Sequence, residues 1–273
     1  IYMLGSVTIQ IFSFLIGTVY FSREGWIGCT GFSASLLWNY IKMGFLLMVG
    51  NFAYMLFIGI DKWFIQFTMT ISDFSMYSFA SQLMTVVNMF VTPVSMTLYS
   101  NMSRRKDRKF EVKVKKLLLV FLMLFPMAVY AISFVIQHYM QQYISSIGIV
   151  SVLLITQIFL LLNLAVFVNI YKTYKKQKDY FVRLAIALIV ACFMDFCVYL
   201  NGASTLGYAI ATLISCLLWL GLNIVYFSYM KPNKHEVWYC VAVLGVYVLL
   251  NCIPNYLIRI SIYFPVYLVV TRL

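Results

Sequence analysis

Charged residues are scarce in this sequence. Only 10% of its 273 residues are Asp, Glu, Lys or Arg, and only 8 are acidic. Soluble proteins average about 25% charged residues. So few cannot cover a folded exterior that must meet water, which excludes a soluble globular domain. Histidine is nearly absent too. His138 and His235 fall in different loops without a second ligand at metal spacing, so no metal site is expected. None of the six cysteines (Cys29, Cys192, Cys197, Cys216, Cys240, Cys252) forms a CxxC pair, and five lie inside apolar runs. They read as small packing residues rather than a disulfide framework. There is no GxSxG, no P-loop, no HExxH and no paired carboxylates in a plausible cleft. The chain is therefore not read as an enzyme, no cofactor is implied, and any transport is secondary or energised by a partner.

What the sequence does have is apolar length. It is 63% hydrophobic with a mean hydropathy of +0.92. The excess needs lipid as its solvent, so the fold class is all-α integral membrane: a polytopic bundle of about nine transmembrane helices. The apolar segments run at about 1–21, 43–67, 75–99, 117–137, 147–171, 184–200, 208–229, 237–253 and 256–271. The last is interrupted by Arg259 and Pro265. Ile1 already stands in mid-run and no signal peptide is visible, so the expectation is the C-terminal part of a longer protein.

The net charge of +12 is distributed as short blocks between the apolar runs. Nucleic-acid binding would interleave basic residues with aromatic or polar ones on a solvated face; here the acidic partner is the lipid surface. Arg23 and Lys42 flank the first connection, and a run from Arg104 to Lys116 follows the third segment. Lys172 to Arg183 follow the fifth, Lys231 and Lys234 the seventh, and Arg272 closes the chain. The alternate connections 138–146 and 201–207 carry no Lys or Arg. Of the 20 basic residues, 18 fall on one side, leaving Lys62 and Arg259. The positive-inside rule then places the C-terminus in the cytoplasm. The connection 22–41 is the longest, and Gly31–Tyr40 reads as a short amphipathic helix on the inner surface or a linker between bundles.

Polar side chains within lipid are costly and therefore informative. On the second segment Asn51, Tyr54, Asp61 and Lys62 fall within an arc of roughly 100°. On the third, Ser78, Gln82, Thr85, Asn88, Thr92 and Tyr99 recur at helical spacing. Thr212, Ser215, Trp219 and Asn223 repeat the pattern weakly on the seventh. These faces either line a wet cavity for a polar cargo or bond between helices as packing glue. Asp61 and Lys62 either serve the cargo or pair with each other at the interface. Asp195, a lone acid, is either a coupling group or a snorkelling residue. Pro93 and Pro126 are expected to kink their helices.

The stretch from Lys42 to Ala80 resembles the opening of the second half of bacterial polysaccharide flippases of the Wzx type. These belong to the multidrug/oligosaccharidyl-lipid/polysaccharide exporter superfamily. The residues carrying the resemblance are Gly44, Asn51, Ile60-Asp61-Lys62-Trp63 and Tyr77-Ser78-Phe79-Ala80. Pro93, the Lys-rich Asn169–Lys178 and the Gly207–Ser215 stretch follow in family order, whereas the family's usual Gly after the second segment is missing from Thr68–Phe74. The resemblance implies two pseudo-equivalent bundles with the cargo between them. Residues 1–21 would be the last helix of a missing N-terminal bundle, 22–42 a cytoplasmic linker, 43–229 the six-helix C-terminal bundle, and 230–273 two additional helices.

It also implies an undecaprenyl-pyrophosphate-linked oligosaccharide cargo, moved across the bacterial cytoplasmic membrane by alternating access for surface polysaccharide export such as O-antigen or capsule. Membrane lipid, a polysaccharide polymerase and a chain-length regulator are the implied partners; nucleic acid is not. On this reading Lys62 contacts the anionic head. Asn51, Tyr54, Ser78, Gln82, Thr85, Asn88 and Thr92 line the cavity with it, and Asp61 and Asp195 are possible ion-coupling groups. A multidrug/cation antiporter, a peptidoglycan-precursor flippase of the same superfamily, and a non-transporting scaffold of a polysaccharide-synthesis complex stand as alternatives.

Overall fold

The structure, a computed structural model, describes residues 2–23, 33–251, 253 and 255–272. They divide into two compact units, 1–45 and 46–273. The first holds α1 (Tyr2–Arg23) and the start of α2 (Ala34–Thr68). The second holds the rest of α2, then α3 (Ile71–Arg105), α4 (Arg108–Leu122), α5 (Phe125–Tyr139), α6 (Ile147–Leu162), α7 (Asn169–Thr173), α8 (Gln177–Leu200), α9 (Thr205–Tyr226), α10 (Lys234–Leu250) and α11 (Tyr256–Arg272). The separate surface helix expected over 31–40 is not formed. From Ala34 onward the chain is already α2, while 24–32 lie outside the described residues.

The protein is a polytopic membrane helix bundle. Among the described residues, Met48–Thr68, Arg108–Tyr139, Gln141–Thr173, Gln177–Leu200 and Thr205–Tyr226 are long and apolar enough to cross a membrane, and the bent α3 makes six. Six of the nine expected segments thus meet the requirement. Of the other three, α1 has 22 residues without meeting the requirement, and α10 and α11 have 17 each, about 25 Å of helix against a hydrocarbon core of about 30 Å. Large apolar side chains point outward to meet lipid, among them Phe52, Met55, Phe67, Ile71 and Ile189.

The span from Gln141 to Thr173 is the centre of the bundle. It joins a 3₁₀ turn, α6, a π-helical turn (Asn163–Val168) and α7. Helix α6 packs on α3, α5 and α9, while α8 covers α9. Each outer helix contributes one buried stripe. On α2 the stripe is Ala53, Phe57, Asp61 and Ile65, at steps of four; on α8 it is Leu184, Ala187, Ala191 and Asp195. A helix turns once per 3.6 residues, so these steps hold one face toward the core. Both membrane acids therefore lie on core-facing stripes.

Local chemistry fixes the ends of the helices that carry the site. Thr70 and Asp73 form a reciprocal capping box at the start of α3, in the connection where the family's glycine is missing. Ser204 caps α9 by accepting the Gly207 N–H at 3.0 Å. Gly202, at φ +99°, makes the αL turn between α8 and α9 that a side chain would resist. In α3 the axis bends by 41° between Ile71–Met89 and Val91–Arg105. Pro93 lies just past the bend and cannot donate to the Met89 carbonyl.

The helix interrupted at Pro126 is held from outside. Pro126 follows the break between α4 and α5, where Leu124 N–H bonds to Phe121 and Met127 N–H to Leu124. Those three-residue steps release the carbonyls of Val120 and Met123 from their usual partners four residues on. Helix α11 supplies the replacements: the Tyr263 hydroxyl donates to Met123 O at 2.6 Å and Tyr267 to Val120 O at 3.0 Å. Arg259 is likewise placed rather than disruptive. Its guanidinium donates to the carbonyls of Asn251 and Ile253 beyond the end of α10 and stacks over Tyr256.

Candidate functional site, a polar trough in the second unit

A line of small polar residues runs down α3: Ser81, Thr85, Asn88, Thr92, Ser95 and Tyr99. At about 100° per residue they stay within about 40° of a common direction. From Ser81 to Tyr99 the line is roughly 27 Å long, close to the hydrocarbon thickness. Two hollows open along it and meet at Asn88. The smaller, about 80 Å³, is bounded by Asp61, Lys62, Ser81, Thr85, Thr156, Gln157 and Thr212 with apolar neighbours. The larger, about 680 Å³, is bounded by Tyr54, Thr92, Ser95, Tyr99, Asn169, Lys172 and Gln177 among others.

The smaller hollow contains a carboxylate with unusual support. Asp61 is buried and accepts from the Tyr77 hydroxyl through Oδ2 and from the Lys62 backbone N–H through Oδ1 at 2.7 Å. The Thr212 hydroxyl lies 3.2 Å from Oδ2 and 3.0 Å from its own helix's Tyr208 carbonyl, and donates to one of the two. Asp195 is 1% exposed, and neither of its oxygens has a hydrogen-bond partner. An unpartnered buried carboxylate is expensive in a bundle core unless a proton or cation neutralises it.

Lys62 does not form the ion pair with Asp61 that adjacency suggested. Neighbours on a helix point about 100° apart and do not face each other. The carboxylate turns into the core while the ammonium stays beside the hollow, without an ion pair among the described residues. Asp195 does not snorkel to an outer face either: its place on the α8 stripe buries it.

The remaining polar residues divide between the two uses open from the sequence. Thr85, Asn88 and Thr92 line the hollows, as do Tyr54, Asp61 and Lys62. Asn51, Ser78 and Gln82 line neither, and Asn51 and Gln82 are exposed. Ser215, Trp219 and Asn223 are fully buried, with Asn223 joining Asn163 and Tyr171 in a chain of hydrogen bonds at 2.9 Å each, which is interhelical packing. Gln157 and Asn169 were not legible from the sequence. Gln157 donates to Asn88, and Asn169 donates to Ser95 and to Ala165 O across the π turn, so α6 and α7 orient the polar line of α3.

The architecture is that of a polytopic membrane helix bundle, and comparison with solved structures finds the same fold. The chain superimposes on a structure described as lipid II flippase MurJ in an inward closed conformation, with a TM-score of 0.67 and 17% sequence identity. The match covers 88% of this chain and 55% of that one, so this chain spans about half that protein's length. At this identity the likeness establishes the fold. No family model and no curated protein matches the sequence.

Proposed function

We propose that this chain forms the C-terminal bundle of a flippase that moves a lipid-linked oligosaccharide, of the undecaprenyl-pyrophosphate type, between leaflets of the bacterial cytoplasmic membrane. The observation that carries this reading is the polar trough along α3, about as long as the hydrocarbon is thick, with Lys62 and Lys172 on its walls. An anionic head can ride in such a trough while its apolar tail stays in lipid. Lys172, at the basic end, meets the head first, and Lys62 holds it deeper, with Tyr54, Thr85, Asn88 and Thr92 as polar lining. Asn51, Ser78 and Gln82 contribute only where alternating access re-forms the cavity. The C-terminus lies on the cytoplasmic side, as the basic loops require. A polysaccharide polymerase and chain-length regulator are the partners such export calls for.

Asp61 and Asp195 are the coupling groups on this reading. Two neighbouring carboxylates in a buried site favour the arrival of a proton or a monovalent cation, and the Tyr77 hydroxyl and the Lys62 backbone N–H hold Asp61 in place.

A peptidoglycan precursor is a second cargo supported by a specific observation, the fold shared with a lipid II flippase. Both cargoes present the same chemistry to the trough: a saccharide, a pyrophosphate and a long apolar tail.

The test is complementation with the gene that encodes this chain. It is introduced into cells lacking a surface-polysaccharide flippase and, separately, into cells depleted of their lipid II flippase. Rescue in one background and not the other assigns the cargo. Lys62→Ala should abolish whichever rescue is seen while the protein still accumulates in the membrane. Full rescue by Lys62→Ala combined with Asn88→Ala would remove the trough from the mechanism.

A further inference from the structure

A second hollow, of about 220 Å³, lies outside the trough. It is lined by Arg108, Tyr174, Lys176, Tyr226, Phe227, Ser228 and Tyr229. Its position is set by the spans around it. Arg108 is the first residue of one span, Tyr174 follows another, Lys176 precedes a third and Tyr226 ends a fourth. Four helix ends thus meet at one level, the boundary between hydrocarbon and water on the basic side of the protein. Phospholipid phosphates lie at that depth, and tyrosines concentrate there.

The charges in the hollow are arranged for an anion. Arg108 sits 5.3 Å over the Tyr229 ring and Lys176 5.0 Å over the Tyr226 ring. Neither makes an ion pair among the described residues. The acids nearby each accept from a donor of their own. Glu111 lies buried and accepts from the Tyr229 hydroxyl through Oε2, with Oε1 unpartnered. Asp179 accepts from Tyr226 at 2.7 Å and faces Arg183. Asp107 caps α4 by accepting the Lys109 N–H at 2.9 Å. Burial, reinforced by Glu111, pushes the phenols of Tyr229 and Tyr174 up, so both stay neutral and add no competing negative charge. Two cations therefore rest on aromatic faces in a hollow that Ser228 also lines.

We infer that this hollow is a binding site for the phosphate headgroup of an anionic membrane phospholipid. The headgroup would be held by Arg108 and Lys176, tying the turns before α4, before α8 and after α9 to one ligand. The lipid's acyl chains would run down the outside of the bundle, where apolar residues already face the bilayer. The site stands apart from the trough and does not depend on what the protein transports.

The test uses the full-length protein, extracted and returned to nanodiscs of phosphatidylcholine with or without phosphatidylglycerol. Lipid retained after partial delipidation is counted by native mass spectrometry. Arg108→Gln combined with Lys176→Gln should reduce retained phosphatidylglycerol roughly thirtyfold, at about the worth of two interfacial cations. Lys109→Gln combined with Lys113→Gln removes the same charge from exposed positions outside the hollow and should change little. Ser228→Glu, which leaves both cations and their ring contacts in place, should expel the lipid by repulsion. Equal loss in the Lys109/Lys113 control would mean diffuse surface attraction and overturn the site, as would undiminished retention in both the double variant and Ser228→Glu. Saturable stabilisation by inorganic phosphate in lipid-free detergent, without selective retention of phosphatidylglycerol, would assign the hollow to a soluble anion and overturn the lipid reading.

Discussion

The two tyrosines of α11 that bond to the broken helix give a prediction whose size follows from the structure. At the α4–α5 break the carbonyls of Met123 and Val120 have lost their helical donors and take the hydroxyls of Tyr263 and Tyr267 instead. Tyr263 is 1% exposed and Tyr267 is 7% exposed, so water cannot replace either hydroxyl readily. Changing each tyrosine to phenylalanine removes one oxygen, leaves the ring and its packing, and orphans one carbonyl. An unsatisfied buried acceptor costs about 1–3 kcal/mol. Polar contacts between membrane helices average nearer about 0.6 kcal/mol, because the unfolded chain in the membrane also finds partners. Tyr263→Phe should therefore destabilise by about 1–2 kcal/mol. Tyr267→Phe, at the longer and less buried bond, should cost about 0.5–1 kcal/mol.

The assay is reversible unfolding in mixed micelles, titrated with a denaturing detergent and followed by a probe placed away from α11. Because both hydroxyls serve the same break, the double variant should differ from the sum of the singles; groups sharing one strained segment couple. A Tyr263→Phe protein as stable as the parent would refute the reasoning, since it would show that the Met123 carbonyl has another partner or needs none. A Tyr130→Phe control removes a hydroxyl bonded to Tyr247 O at 3.1 Å from the same aromatic cluster, away from the break. It should be additive with Tyr267→Phe, whereas its ring meets that of Tyr263 edge-on at 6.2 Å and the two changes can couple.

Three further outcomes are expected. Asp195→Asn removes a buried carboxyl without hydrogen-bond partners, so it should raise stability in detergent by about 1–2 kcal/mol at alkaline pH, where the parent is ionised, and change little at acidic pH, while weakening cation dependence of transport; a loss of stability at alkaline pH would mean the charge is compensated. Asn88→Leu breaks the bond from Gln157 and greases the point where the two hollows meet, so it should cost about 1–2 kcal/mol in unfolding titrations and lower flux in a liposome assay by at least about tenfold. Lys115→Met removes the nearer of the two lysines paired with Glu236, at 2.7 Å, leaves Lys116 at 3.5 Å, and takes the donor from the Met230 carbonyl. Because Lys115 is only 4% exposed, the loss should reach about 1–3 kcal/mol, and the double variant with Glu236→Gln should recover part of it.

The membrane architecture was legible because it is written in composition and repeated along the chain. Six expected segments coincide with helices able to cross, since a span needs only length, apolarity and satisfied backbone groups. The trough was legible only in part, and the reason is angular. Ser78 and Gln82 keep helical spacing with Thr85 and Asn88, but each three- or four-residue step drifts. Measured from Ser81, Gln82 points about 100° away, whereas Ser95 and Tyr99 return to the line. Ser81 and Ser95 carry too little polarity to draw notice alone. What no single-chain pattern could show was the partner helix: Gln157 lies in a mainly apolar run and Asn169 at the edge of the Lys-rich stretch, and their role depends on α3 packing against them. The adjacency of Asp61 and Lys62 left two readings open for the complementary reason. Sequence neighbours on a helix diverge, so a charge pair that looks self-sufficient in the sequence is separated by the fold into a carboxylate held by Tyr77 and an ammonium left beside the hollow. That separation makes the pair useful, because an ammonium neutralised by Asp61 would have little left to offer an anionic cargo.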